Sequence, residues 1–252
     1  MVGLWLRRFL DLIAPRYCEM CGKRLIVQEQ IICIECLLTI PRTDFERQPY
    51  DNPMARLFWG LIPVEKCAAL AFYQKHLNWS HLIHRMKYGN RPDIGVFLGR
   101  ITARQFQSFH FFDGIDAIIP VPLAKNRQRS RGYNQCECIG QGLSEVTGIP
   151  MITGAVIRTT FKSSQTTKGV EARRKNVENV FKLRNGKSIE NKHVLLVDDV
   201  VTTGSTTMAC ARPLLDVSGL KLSILSLSFV SDPFIRVNRD TPDEYREKMN
   251  IW

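Results

Sequence analysis

Two adjacent carboxylates follow an apolar run in HVLLVDDVVTTGST, residues 193–206. Val194 to Val197 read as a buried strand that carries Asp198 and Asp199 to the carboxyl end of a sheet, where open α/β folds hold their ligands. Thr202, Thr203, Gly204, Ser205 and Thr206 come next. They offer hydroxyls, a glycine that permits close backbone approach, and the free N–H groups of a helix N-terminus, which together cradle phosphate. Carboxylates repel phosphate, so beside such a cradle they accept the hydroxyls of a sugar or face a Mg²⁺ that the phosphates share. The pattern points to a ligand carrying both hydroxyls and phosphate. A plain loop of small polar residues after a core strand is the alternative. A Walker B strand lacks its partner motif, because no G-x-x-x-x-G-K-[ST] occurs in the chain.

Four of the eight cysteines fall as Cys18-x2-Cys21 and Cys33-x2-Cys36, with eleven residues between the pairs. Two such knuckles present four soft sulfurs to one tetrahedral ion, the pattern of a structural Zn²⁺. A disulfide framework or a redox pair is the competing reading; the chain shows no secretory signal, and the expected location is cytoplasmic, where disulfides are rare. Cys67, Cys136, Cys138 and Cys210 read as ordinary buried thiols.

These groups need elements to hold them. The 252 residues suffice for one main domain and a smaller attachment. No run reaches the roughly 18 apolar residues of a transmembrane helix. The start, MVGLWLRRFLDLIAP, reads as an amphipathic helix through Trp5, Phe9 and Ile13, docked on the protein's own core or on a membrane surface or partner. Residues 41–54 are polar and turn-rich and read as a domain boundary or linker. Strands are expected near 66–74, 115–119, 155–158, 176–183, 193–199 and 222–230, and helices near 81–88, 94–109, 134–147 and 205–215. Strands alternating with helices make an α/β fold with a parallel sheet covered on both faces. The division is residues 1–48 for the helix and cysteine ribbon, 49–232 for the main domain and 233–252 for a tail. The chain carries a net charge of +11, and residues 121–192 hold 14 basic residues against 5 acidic. A positive field so localised is a footprint for phosphate, pyrophosphate, nucleic acid or acidic lipid.

The VDDVVTTGST run resembles the phosphoribosyl pyrophosphate (PRPP) signature of type I phosphoribosyltransferases. IIPVPLAKNRQRSRGYNQ (118–135) and SQTTKGVEARRKNVENVF (164–181) are similar to two blocks of the ComF family, which also carries a four-cysteine ribbon. Tyr133 departs from the family's usual phenylalanine, and Lys168 from a usual apolar residue. The resemblance implies a type I phosphoribosyltransferase fold with a small N-terminal zinc ribbon. It implies that Asp198 and Asp199 hold the ribose hydroxyls of PRPP and that Thr202 to Thr206 bind its 5′-phosphate. The loop Leu123 to Arg131 would then meet the pyrophosphate, Arg131 first and Arg127 and Arg129 less directly. Residues 160–176 would form a hood over the ribose, with Lys168, Arg173 and Arg174 as its charges. The implied activity is Mg²⁺-assisted phosphoribosyl transfer to an unknown acceptor. Implied partners are single-stranded DNA and the proteins of natural competence, with a non-catalytic DNA-handling or PRPP-sensing adaptor as the other reading.

Overall fold

The structure is a computed structural model and describes residues 13–159 and 180–231. All but the end of the amphipathic helix, the hood residues Lys168, Arg173 and Arg174, and the tail 233–252 lie outside the described residues. In chain order the elements are α1 (Ile34–Leu38), α2 (Pro53–Arg56), β1 (Cys67–Phe72), α3 (Asn78–Tyr88), α4 (Pro92–Gln107), β2 (Ala117–Pro120), α5 (Lys125–Arg131), α6 (Gln135–Thr147), β3 (Val156–Arg158), β4 (Phe181–Leu183), β5 (His193–Val201), α7 (Ser205–Leu215) and β6 (Lys221–Phe229).

Four strands pair in parallel in the order β1-β6-β5-β2. The central pair is the most apolar. Leu195, Leu196 and Val197 of β5 and Ile224, Leu225 and Leu227 of β6 are wholly buried, as strands covered on both faces must be. Both edges are closed. Ile118 of β2 donates to Pro150 O and accepts from Ile152 N–H. On the other side, Phe72 N–H donates to Pro41 O and Thr43 N–H to Leu70 O.

That second contact packs the segment 41–54, expected as a boundary or linker, along the edge of β1. Phe45 is fully buried, its ring 5.6 Å from Phe72 and 5.7 Å from Phe229, and Asn52 caps α2 while binding Cys67 O. The polar residues of the segment serve to satisfy the exposed edge of β1, which free strand edges require. A correction concerns 123–131, expected as a loop. Lys125–Arg131 is helical, and none of its residues is buried, so a helix of good helix-formers leaves no apolar periodicity to read. A second correction is that β3 and β4 pair antiparallel with each other, outside the main sheet. Each is three residues long with one buried side chain, too little apolar surface for a central strand.

α6, which reaches the carboxyl end of the sheet, lies against α4 at two glycines. A methyl group on Gly142 would run into the backbone oxygen of Val96, and one on Gly99 into that of Ile139. Backbone cannot yield as a side chain does. Gly142→Ala should therefore lower unfolding free energy by roughly 1–3 kcal/mol, read as a lower urea midpoint at unchanged m-value.

Candidate functional site

β5 delivers Asp198 and Asp199 into the interior, where they are 7% and 6% exposed. The two carboxylates find different partners. Asp198 Oδ1 accepts from the N–H of Asp199 at 2.9 Å, and its Oδ2 accepts from Thr207 Oγ1 at 3.1 Å. Cys136 Sγ lies 3.8 Å from Asp198 Oδ1. Asp199 Oδ2 accepts from Gln135 Nε2 at 2.7 Å, and Lys87 Nζ stands 3.1 Å from its Oδ1. Burial, with the neighbouring charge of Asp199, pushes the Asp198 carboxyl up from its ordinary 3.8 to about 7.

The loop after β5 has the anticipated form. Gly204 adopts φ 71° as N-cap of α7 and provides no side-chain acceptor, leaving the first-turn N–H groups of the helix outside any intrahelical bond. A Cβ on Gly204 would lie 2.9 Å from the Phe58 ring. Glycine is thus required twice, for conformation and for close approach. Thr202, Thr203, Ser205 and Thr206 are exposed, and the hydroxyls of Thr203 and Ser205 lie 2.8 Å apart.

Arg131 reaches the same site. Its guanidinium donates to Gln135 Oε1 at 2.9 Å and sits 4.6 Å over the Tyr88 ring. Gln135 therefore links Arg131 to Asp199. Because α5 is a helix, Arg127 and Arg131 share one face about 6 Å apart. Arg129 instead lines an open depression of about 300 Å³ with Lys125, Gln128 and Gly132. Arg158 adds another charge. Burial and the positive charge of Arg127 hold its guanidinium below its ordinary value, while Cys210 and Asp198 act the other way.

Lys87, Gln135, Thr207 and Arg158 are the residues that sequence reasoning missed. Gln135 stands at the end of the RGYNQ stretch and Thr207 directly after the small-residue run, so both were adjacent to a recognised pattern. Lys87 sits in the last turn of an ordinary amphipathic helix, and nothing in its neighbours in the sequence marks it.

The cysteines Cys18, Cys21, Cys33 and Cys36 form one cluster with all four sulfurs within 4.8 Å of one another, and Cys21 and Cys33 sulfurs 3.7 Å apart. Tetrahedral bonds of about 2.3 Å to zinc place sulfurs roughly 3.8 Å apart, so the donor set fits such an ion. Burial alone would raise the Cys18 thiol, but the backbone N–H groups of Cys33, Cys21 and Met20 outweigh it and bring it down to about 7. Burial pushes the Cys33 and Cys36 thiols up. A shared cation would reconcile thiols packed in this way. Hard carboxylate oxygens at Asp198 and Asp199 suit Mg²⁺ or sugar hydroxyls equally.

A covered parallel sheet whose central strand ends in an acid pair and a small-residue loop, preceded by a four-cysteine cluster, defines the class as a type I phosphoribosyltransferase fold with an N-terminal metal-type ribbon. The chain belongs to the ComF family. It is 31% identical over 215 residues to the DNA utilization protein YhgH of Escherichia coli O157:H7, covering 81% of this chain and 92% of that protein. It is 35% identical over 196 residues to competence protein F of Haemophilus influenzae, 75% of this chain and 74% of the relative. The competence protein ComFC of Bacillus subtilis is 29% identical over 113 residues, 45% of this chain and 43% of that one. Among solved structures, the glutamine PRPP amidotransferase of B. subtilis aligns with a TM-score of 0.41 at 18% identity, over 58% of this chain and 30% of that chain. The adenine phosphoribosyltransferase of Leishmania tarentolae aligns at 0.35 and 13%, over 71% and 88%. No family model matches the chain. Among the described residues no helix is long and apolar enough to cross a membrane.

The buried acid pair makes stability depend on pH. Between about 4 and 7 the unfolded Asp198 is ionised while the folded one keeps its proton, so stability falls as pH rises through this window and levels off above it. Asp198→Asn should remove that slope and raise the melting temperature at pH 8 by a few degrees. A melting series from pH 5 to 8 that keeps the wild-type slope in the variant would contradict the assignment.

Proposed function

We propose that this protein binds PRPP with Mg²⁺ at the β5–α7 loop and transfers its phosphoribosyl group to an acceptor nucleophile, releasing pyrophosphate. The observation that carries this reading is Thr207. Its hydroxyl, in the first turn of the helix that follows the phosphate loop, donates to Asp198. Acid pair and loop are therefore a single unit, and a ligand spanning both must place donors beside a phosphate. Ribose 5-phosphate does so.

In this reading the N–H groups and hydroxyls of Thr202 to Thr206 bind the 5′-phosphate, and Asp198 and Asp199 accept the ribose hydroxyls. Arg131, on the face of α5 that also carries Arg127, lies toward the pyrophosphate, with Lys168 and Arg173 as hood charges. The C1–oxygen bond to pyrophosphate breaks, its electron pair leaving with the pyrophosphate, while the acceptor lone pair forms the new bond to C1 and the acceptor's proton is lost to solvent. The sugar is positively charged in between, and the carboxylates of β5 favour that state. Bound together with PRPP, Mg²⁺ would supply countercharge for the pyrophosphate. The four cysteines would hold a structural Zn²⁺, and thiolate ligation of that kind suits the reducing cytoplasm.

The names of the relatives support a place beside the competence machinery and incoming DNA. A second reading, an adaptor for single-stranded DNA, draws on those names and on the charge of residues 121–192. Calorimetry with Mg²⁺–PRPP and a pyrophosphate-release assay over bases and small amines separate the two. Asp198→Asn with Asp199→Asn should weaken PRPP binding at least roughly 100-fold and abolish release. Full PRPP affinity in that variant would sink the site. Salt-sensitive DNA binding without PRPP binding in the wild type would favour the adaptor.

A further inference from the structure

We propose that Glu19 is a positioning residue: from inside the first cysteine knuckle it fixes the last turn of α3 and so sets Lys87 against Asp199. Its consequence for ligand affinity rests on the PRPP reading above, while its structural part does not.

Glu19 lies between Cys18 and Cys21, and its N–H donates to Ile31 O at 3.0 Å, which ties it to the approach to the second knuckle. Its side chain is only 12% exposed. Oε2 is 2.7 Å from Arg85 Nε, and Oε1 is paired with the Arg91 guanidinium. Arg85 and Arg91 bracket the end of α3, where Gly89 N–H closes on Arg85 O at 2.7 Å. The turn is held from the other side as well. Tyr133 OH donates to Met86 O and accepts from Arg91 N–H at 3.2 Å. A phenylalanine at 133 would offer neither bond. Between these two clamps stand Lys87, which meets Asp199, and Tyr88, on which Arg131 stacks.

A helix's last turn is where backbone hydrogen bonds fray first, so what holds it from outside decides where its side chains stand. Only the Glu19 end of these pairs is shielded, Arg85 and Arg91 keeping 43% and 31% of their side chains exposed, and pairs half-shielded in this way lose less to solvent than fully exposed ones. The ribbon thereby acts on the acid pair through α3, although no cysteine lies in it.

The test uses the full chain with its metal. Reductive methylation read by mass spectrometry reports Lys87 directly and needs no ligand. Glu19→Gln should retain the wild-type metal content, methylate Lys87 about fivefold faster with Lys66 unchanged, and bind PRPP roughly tenfold more weakly. Glu19→Asp, which keeps the charge, should return both readouts most of the way to their wild-type values. Unchanged Lys87 labelling in Glu19→Gln overturns the proposal, as does loss of metal in that variant, since ribbon unfolding would then account for the change. Faster labelling with unaltered PRPP affinity overturns the link to the ligand site. If the wild type itself binds no PRPP, the functional reading falls, and the methylation arm still decides the role of Glu19.

Discussion

Two like charges on consecutive residues of a buried strand are costly, because burial disfavours each ionised form and each carboxylate raises the other's proton affinity. The arrangement around β5 is organised to offset that cost at Asp198 and Asp199. Thr207, the Asp199 N–H, Gln135 and Lys87 come from four different places in the chain and converge on the pair. Even so the balance is incomplete, since Asp198 is left holding its proton to about pH 7. A site paid for in stability is one whose purpose lies in what it binds.

The cysteine-bearing segment meets a different constraint. Residues 16–40 bury a few apolar side chains, Leu25, Ile31, Ile32 and Ile40 among them, which is a small core for so short a segment. Four cysteine sulfurs gathered to metal spacing fit an ion that, once bound, would supply what burial cannot. Glu19 shows how such a ribbon can be joined to a sheet it does not extend. Its carboxylate spans to two arginines at the end of α3, so the smaller unit is attached where the larger one keeps its charged groups.

What was legible in the sequence follows from locality. β5 reads as a strand because both its faces are covered, and the loop after it because glycine, threonine and serine are needed in one place. The cysteine pairs read at once, since metal geometry fixes the spacing within each knuckle. Legibility ends where the reason for a residue lies elsewhere in the fold. Lys87 matters only because α3 ends beside β5, and Phe45 is buried only because the edge of β1 needs cover. Helix α5 has no buried face, so its arginines looked like a loop; once helical, Arg127 and Arg131 share a side that an extended chain would have spread. β3 and β4 carry too little apolar pattern to tell a sheet strand from a separate pair.

The chemistry of the acid pair also bears on how nucleic acid and PRPP could share one surface. Carboxylates at Asp198 and Asp199 accept donors and repel phosphate, so whatever occupies them must present hydroxyls or a cation. A DNA strand lacks the 2′-hydroxyl and has its internal 3′-oxygens esterified, leaving its sugars no donor for the pair, whereas the ribose of PRPP offers two. On the proposed reading the acid pair would discriminate by exclusion. DNA approaching this protein would be held off β5 and drawn to the cations around it, Arg127, Arg129 and Lys125 on the exposed α5. α5 ends at Arg131, which reaches Asp199 through Gln135. On the proposed PRPP reading, a strand lying on that helix would bear on Arg131 and, through Gln135, on Asp199.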